Sequence, residues 1–154
     1  MRPHLLLPSA CILISTIVLS ACSTDERSAE DRAFEQLAGR FLESYLAMHP
    51  EHATELGDHR FDDRMDDYSR EGMEAEVAFC RAYLDTLAGI KVETLSPQHM
   101  IDYEILRHQL DARVYALEEL REWEWNPLVY NPGGAIYALI ARDFAPLQER
   151  MRSV

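Results

Sequence analysis

The sequence predicts an all-α fold, in which amphipathic helices form the front part of a larger helical protein behind a signal peptide. Three observations carry this reading. Apolar residues recur at i, i+3, i+4 and i+7 over most of the chain. Ser, Pro and Gly stand where such stretches begin and end. No segment alternates with period two for long enough to argue for a sheet, and there is no internal repeat.

The opening MRPHLLLPSACILISTIVLSAC has a basic start at Arg2 and an apolar run from about residue 5 to 19. This is the layout of a secretory signal peptide over residues 1–21, too short and wrongly flanked for an ordinary membrane span. Pro8 also argues against a long regular helix there. Leu19-Ser20-Ala21-Cys22 resembles the lipobox of bacterial lipoproteins. The resemblance implies lipidation at Cys22: diacylglycerol on its thiol, cleavage after Ala21, and acylation of the new amino terminus. The chemistry needs small side chains at the cleavage site and a thiolate to take up the lipid. The bland alternative is a plain signal peptide with an incidental cysteine. Ser23 follows Cys22, where an aspartate would mark inner-membrane retention in enteric-type bacteria. The expected location is therefore the cell envelope, anchored in the outer membrane and facing the periplasm.

The formal charge is −12, and loss of Arg2 with the signal takes it to −13. So acidic a chain is poorly suited to nucleic acid or anionic head groups. The expected partner is the membrane, through the acyl chains on Cys22. Lys91 is the only lysine among fifteen cations, which we read as genome composition. Cys11 leaves with the signal and Cys22 takes lipid, so Cys80 has no disulfide partner. Beside Phe79 and Leu84 it reads as a buried structural thiol.

Residues 22–32 contain no large apolar side chain and read as a tether, with Ser28 and Asp31 as an N-cap pair. Phe34, Leu37, Phe41, Leu42 and Tyr45 then trace a helix over 33–49. Pro50 opens a short helix that Gly57 stops. Ser69 caps a helix with Met73, Val77, Cys80, Leu84 and Leu87 on one face, stopped by Gly89. Ser96 and Pro97 open the longest run, which Asn126-Pro127 breaks. Its face of Leu106, Leu110, Val114 and Leu117 is expected to pack on Phe34, Leu37, Phe41 and Tyr45. NPGG at 131–134 reads as a turn, followed by a short helix, and Pro146 opens a last one. That helix has barely begun at Val154. The helical domain, 33–154, is therefore expected to be truncated at its C-terminus.

The stretch LGDHRFDDRMDDYS holds the densest set of ligand-type side chains. Its aspartates fall at 58, 62, 63, 66 and 67, without the D-x-D-x-D-G spacing of an EF-hand. For zinc, only His59 is at hand. It reads as a turn-rich connection with Arg60 and Arg64 among the acids, binding no structural metal. His49, His52 and Glu55 have helical spacing, but Pro50 holds His49 extended. His99 and His108 lie too far apart along a helix to share an ion. Glu118-Glu119 and Asp62-Asp63 are sequence neighbours and make poor acid/base pairs. H-E-x-x-H, G-x-S-x-G, Walker and C-x-x-C patterns are all missing. No catalytic, cofactor-binding or metal residue is therefore assigned. Trp123, Trp125, Tyr130 and Tyr137 read as core anchors at a helix bend, with a substrate groove wall as the alternative.

HPEHATELGDHRFDDRMDDYS, LSPQHMIDYEILRHQLDARVYALEELREWEWNPLVY and IYALIARDFAPLQERM, in that order, resemble bacterial domain-of-unknown-function 885 proteins. The resemblance covers about residues 34–154. It implies a much longer, largely helical protein similar to zinc metallopeptidases, whose H-E-x-x-x-G-H-type zinc helix lies far downstream. Zinc and a peptide substrate are thus implied for the full-length parent, and no catalytic residue carries over to this chain. What carries over is Pro50, Ala53, Thr54, Gly57, Asp58, Arg60 and Asp62, with Trp123, Glu124, Pro127 and Leu128. The chain is expected to be the lipid-anchored front portion of such a hydrolase, inactive alone. The alternative is a complete small lipoprotein acting as a binding or envelope-structural module.

Overall fold

The computed structural model describes residues 28–154, so Cys22 and the predicted signal peptide lie outside the described residues. Within them every regular element is helical: α1 Ala29–Met48, α2 Pro50–Leu56, α3 Arg70–Ala88, α4 Pro97–Tyr115, α5 Glu122–Trp125, α6 Gly133–Ala141 and α7 Leu147–Arg150. The all-α class holds.

Local chemistry sets the helix starts. Ser28 is extended and its hydroxyl accepts Asp31 N–H at 2.9 Å. That cap starts α1 at Ala29, inside the stretch read as tether. The Ser69 hydroxyl accepts Gly72 N–H at 3.0 Å to start α3. Ser96 caps α4, with Pro97 at its first position. Asp31, itself buried, accepts Ser96 N–H at 2.9 Å, so the starts of α1 and α4 are tied together.

The core is Phe34, Leu37, Cys80, Leu87, Leu95, Tyr103 and Leu110. Cys80 is buried and its thiol is pushed up to about 11, chiefly by that burial, as a structural thiol should be. The helix packing differs from expectation. The most extensive pair is α3 with α4, not α1 with α4. Phe34 does reach α4, with its ring 6.3 Å from that of Tyr103. Further along α1, Phe41 stacks on Phe79 at 5.7 Å and meets Tyr83 edge-on at 5.2 Å, both on α3. The ring of Phe41 thus packs on α3 side chains and not on Leu106 or Val114 alone. Phe41 and Tyr45 are only half-buried, as are Leu106 and Val114 opposite.

The long helix also ends earlier than expected. α4 gives way at Ala116–Leu120 to a wider π turn, in which Arg121 N–H reaches back to Ala116 C=O at 2.9 Å. Arg121 then takes a left-handed conformation, φ 49° and ψ 42°. The Trp123 indole donates to Leu117 C=O at 3.0 Å and that of Trp125 to Leu120 C=O at 3.2 Å. These side chains occupy carbonyls that the break would orphan. The four aromatics do not act as core anchors as expected: Trp123 is half-buried, and Trp125, Tyr130 and Tyr137 are exposed, because the indoles lie across the outside of the bend to reach those carbonyls. α6 begins at Gly133, within the predicted turn. Buried Arg150 closes its far end, donating to Leu139 C=O at 2.9 Å and Ile140 C=O at 2.8 Å.

Gly57 ends α2 with φ 90°, and its N–H reaches back to Thr54 C=O at 3.1 Å. A β-carbon there would meet nothing within 4 Å, so only the backbone conformation resists substitution. Gly57→Ala is expected to cost about 1–2 kcal/mol, the penalty for an L-residue in this region, with the loss read from urea midpoints.

Candidate functional site

The densest polar arrangement among the described residues joins four elements. His49 sits at the α1–α2 junction, where Pro50 keeps it out of helix, with φ −118° and ψ 68°. Its Nδ1 lies 2.9 Å from Asp66 Oδ2 and its Nε2 lies 3.2 Å from Glu76 Oε1 on α3. The second approach is close but misaligned for a hydrogen bond, so its attraction is Coulombic. Arg113 of α4 grips Glu76 with both arms, Nε to Oε1 at 2.6 Å and Nη2 to Oε2 at 2.7 Å. Asp66 accepts Glu51 N–H at 3.1 Å, and the Tyr68 hydroxyl donates to Glu51 at 3.2 Å. The Tyr45 ring lies 4.4 Å from that of His49.

Burial opposes charge on His49, but the Asp66 hydrogen bond and the Glu76 pair outweigh it, and its pKa rises to about 9. Burial likewise opposes charge on Glu76, yet His49 and Arg113 bring it down to about 2. The group is therefore two cations and two anions, closely balanced. It borders a cleft of about 290 Å³ that Tyr68, Met73 and Arg64 also line. A histidine held as imidazolium, with Nδ1 bonded to Asp66 and Nε2 facing Glu76, is a poor general base at neutral pH. What this arrangement does is clamp the α1–α2 junction, α3, α4 and the Asp-rich loop together.

The loop residues are spent in the same way. Asp58 accepts Arg60 N–H at 3.2 Å and pairs with the Arg60 guanidinium, which also holds Glu43 at 2.9 Å. Asp62 accepts the Thr54 hydroxyl at 2.7 Å and lies 3.0 Å from His59 Nδ1. Asp67 accepts Ser69 N–H at 2.9 Å. Arg64, expected among the acids, instead lies over the Phe61 ring, 4.6 Å from its centre. His52 turns to Glu55 and away from the Asp66–Glu76 side. His99 lies between Asp31 and Glu35, at 3.2 and 3.3 Å, while His108 belongs to a shallow surface hollow elsewhere on α4. Among the described residues no three His, Cys, Asp or Glu side chains are placed to hold a metal ion. The zinc implied by the family resemblance therefore does not fit the residues described, and no step is derived through it.

Over residues 50–154 the sequence matches the family described as "Bacterial protein of unknown function (DUF885)". The chain belongs to the DUF885 family. No curated protein matches it. Among solved structures, the DUF885 chain is similar to a candidate lipoprotein of unknown function from Shewanella oneidensis, at 27% identity with a TM-score of 0.74. The similarity covers 78% of this chain but 22% of that one, so the chain spans only a small part of its relative's length. The positions carried over by resemblance have visible work here. Thr54 bonds Asp62 and Pro50 C=O, Arg60 bonds Asp58, and Trp123 and Glu124 secure the bend.

Proposed function

We propose that this DUF885 chain is the lipid-anchored front portion of a longer helical hydrolase of the cell envelope, similar to zinc peptidases. In this reading the described residues supply scaffold, and the chemistry belongs to polypeptide further downstream. The observation that carries it is the match to 22% of a much longer chain, itself described as a candidate lipoprotein. No helix among the described residues is long and apolar enough to cross a membrane, which suits anchoring by lipid. The genomic frame after codon 154 tests the reading. An open frame encoding H-E-x-x-x-G-H upholds it, and a stop with no homologous frame beyond overturns it in favour of a small binding or structural lipoprotein.

The anchor itself is Cys22, placed by the Leu-Ser-Ala-Cys sequence ahead of α1. Ser23 points to the outer membrane, facing the periplasm. Cys22→Ser is expected to abolish incorporation of labelled fatty acid and to leave an unprocessed or soluble form. Label entering the variant would sink the assignment, and fractionation of the wild type to the inner membrane would sink the location.

A further inference from the structure

α1 and α4 leave an open apolar groove of about 980 Å³, with Cys80 of α3 and Leu110 at its floor. Leu42 and Leu56 line one side and Ile105 the other, at 55, 66 and 54% exposure. Leucines and isoleucines this bare on facing helices are a surface made for burial. Helices α1 and α4 form its walls, with His52 and Leu56 of α2 and Cys80 of α3 also lining it, and an amphipathic helix is the element that fits a trough between two helices.

Resting on the proposed function above, we infer that this groove seats an amphipathic helix from the downstream polypeptide of the longer parent, completing a four-helix arrangement. The length argument favours that occupant, since most of the similar solved chain lies outside the matched 22%. Charge argues against a second copy of this chain, since each copy is strongly acidic. The helix presents an apolar stripe at i, i+3, i+4 and i+7 to Leu42, Leu56 and Ile105.

The test places a benzoylphenylalanine photocrosslinker at Ile105, an exposed position, in the full-length protein encoded by the genomic frame. After irradiation, peptide mass spectrometry reads the partner of Ile105. The expected result is an intramolecular adduct to a peptide from beyond residue 154, which does not form when the protein is irradiated unfolded in urea. An adduct to residues 28–154 of a second copy, or no adduct at all, overturns the inference while leaving the proposed function standing. A stop after codon 154 overturns both.

Discussion

Glu76→Gln is expected to be the most damaging polar substitution in the protein, costing about 3 kcal/mol. Glu76 is 4% exposed and carries the one carboxylate among the described residues that His49 and Arg113 share. Removing one partner of a buried pair leaves the other charge uncompensated, typically at about 3–5 kcal/mol. The lower end applies because the Arg113 side chain is 44% exposed and can recover water. Urea midpoints give the cost. A loss below about 1 kcal/mol, the scale of a surface pair, would mean that the clamp contributes nothing. The double variant Glu76→Gln with Arg113→Met should lose less than the two single changes added together, because the second removes the charge that the first strands.

The same cluster sets a pH signature. His49 is raised from 6.5 to about 9 in the fold. Its contribution is therefore complete below pH 6.5, declines between 6.5 and 9, and is gone above. Glu76 is lowered from 4.5 to about 2, so its contribution is complete above pH 4.5 and disappears as pH falls through 2. The two shifts report one set of contacts and are not added. Stability should peak between pH 4.5 and 6.5 and fall toward pH 9, by at most about 3 kcal/mol from His49. His49→Gln should flatten the alkaline limb. A wild-type stability curve that stays level from pH 6 to 9 would refute the assignment.

Ser28, Ser69, Ser96, Pro97 and Gly57 were legible in the sequence because each acts on backbone within a few residues of itself. Glu76 was not. It lies between Met73 and Cys80 on the buried face of α3, so an acid on an apolar stripe was the one available signal. Its partners stand 27 residues before it, at His49, and 37 after it, at Arg113, and no local pattern joins them. Asp66 looked no different from the four aspartates around it. The end of α4 was hidden for another reason. Leu117 and Leu120 keep the helical spacing going through the π turn, and only the reach of two indoles shows where the chain leaves it.

Phe34→Ala is expected to cost about 3–5 kcal/mol, the range for a fully buried Phe, whereas Phe41→Ala should cost distinctly less. Sequence periodicity places both on one stripe of α1, separated by two turns, and ranks them alike. The structure separates them. Phe34 is 2% exposed, edge-on to His99 at 5.6 Å and tilted against Tyr103, where α1 meets the start of α4. Asp31 ties the same two helix starts one turn earlier. A cavity at Phe34 therefore opens at a corner whose backbone is pinned and cannot collapse to fill it. Both rings line the open groove, but Phe41 is itself only half-buried, and its neighbours Tyr45, Phe79 and Tyr83 are half-buried rings too. Paired unfolding curves decide it. Equal losses at the two positions would mean that the groove face of α1 is as tightly packed as its start.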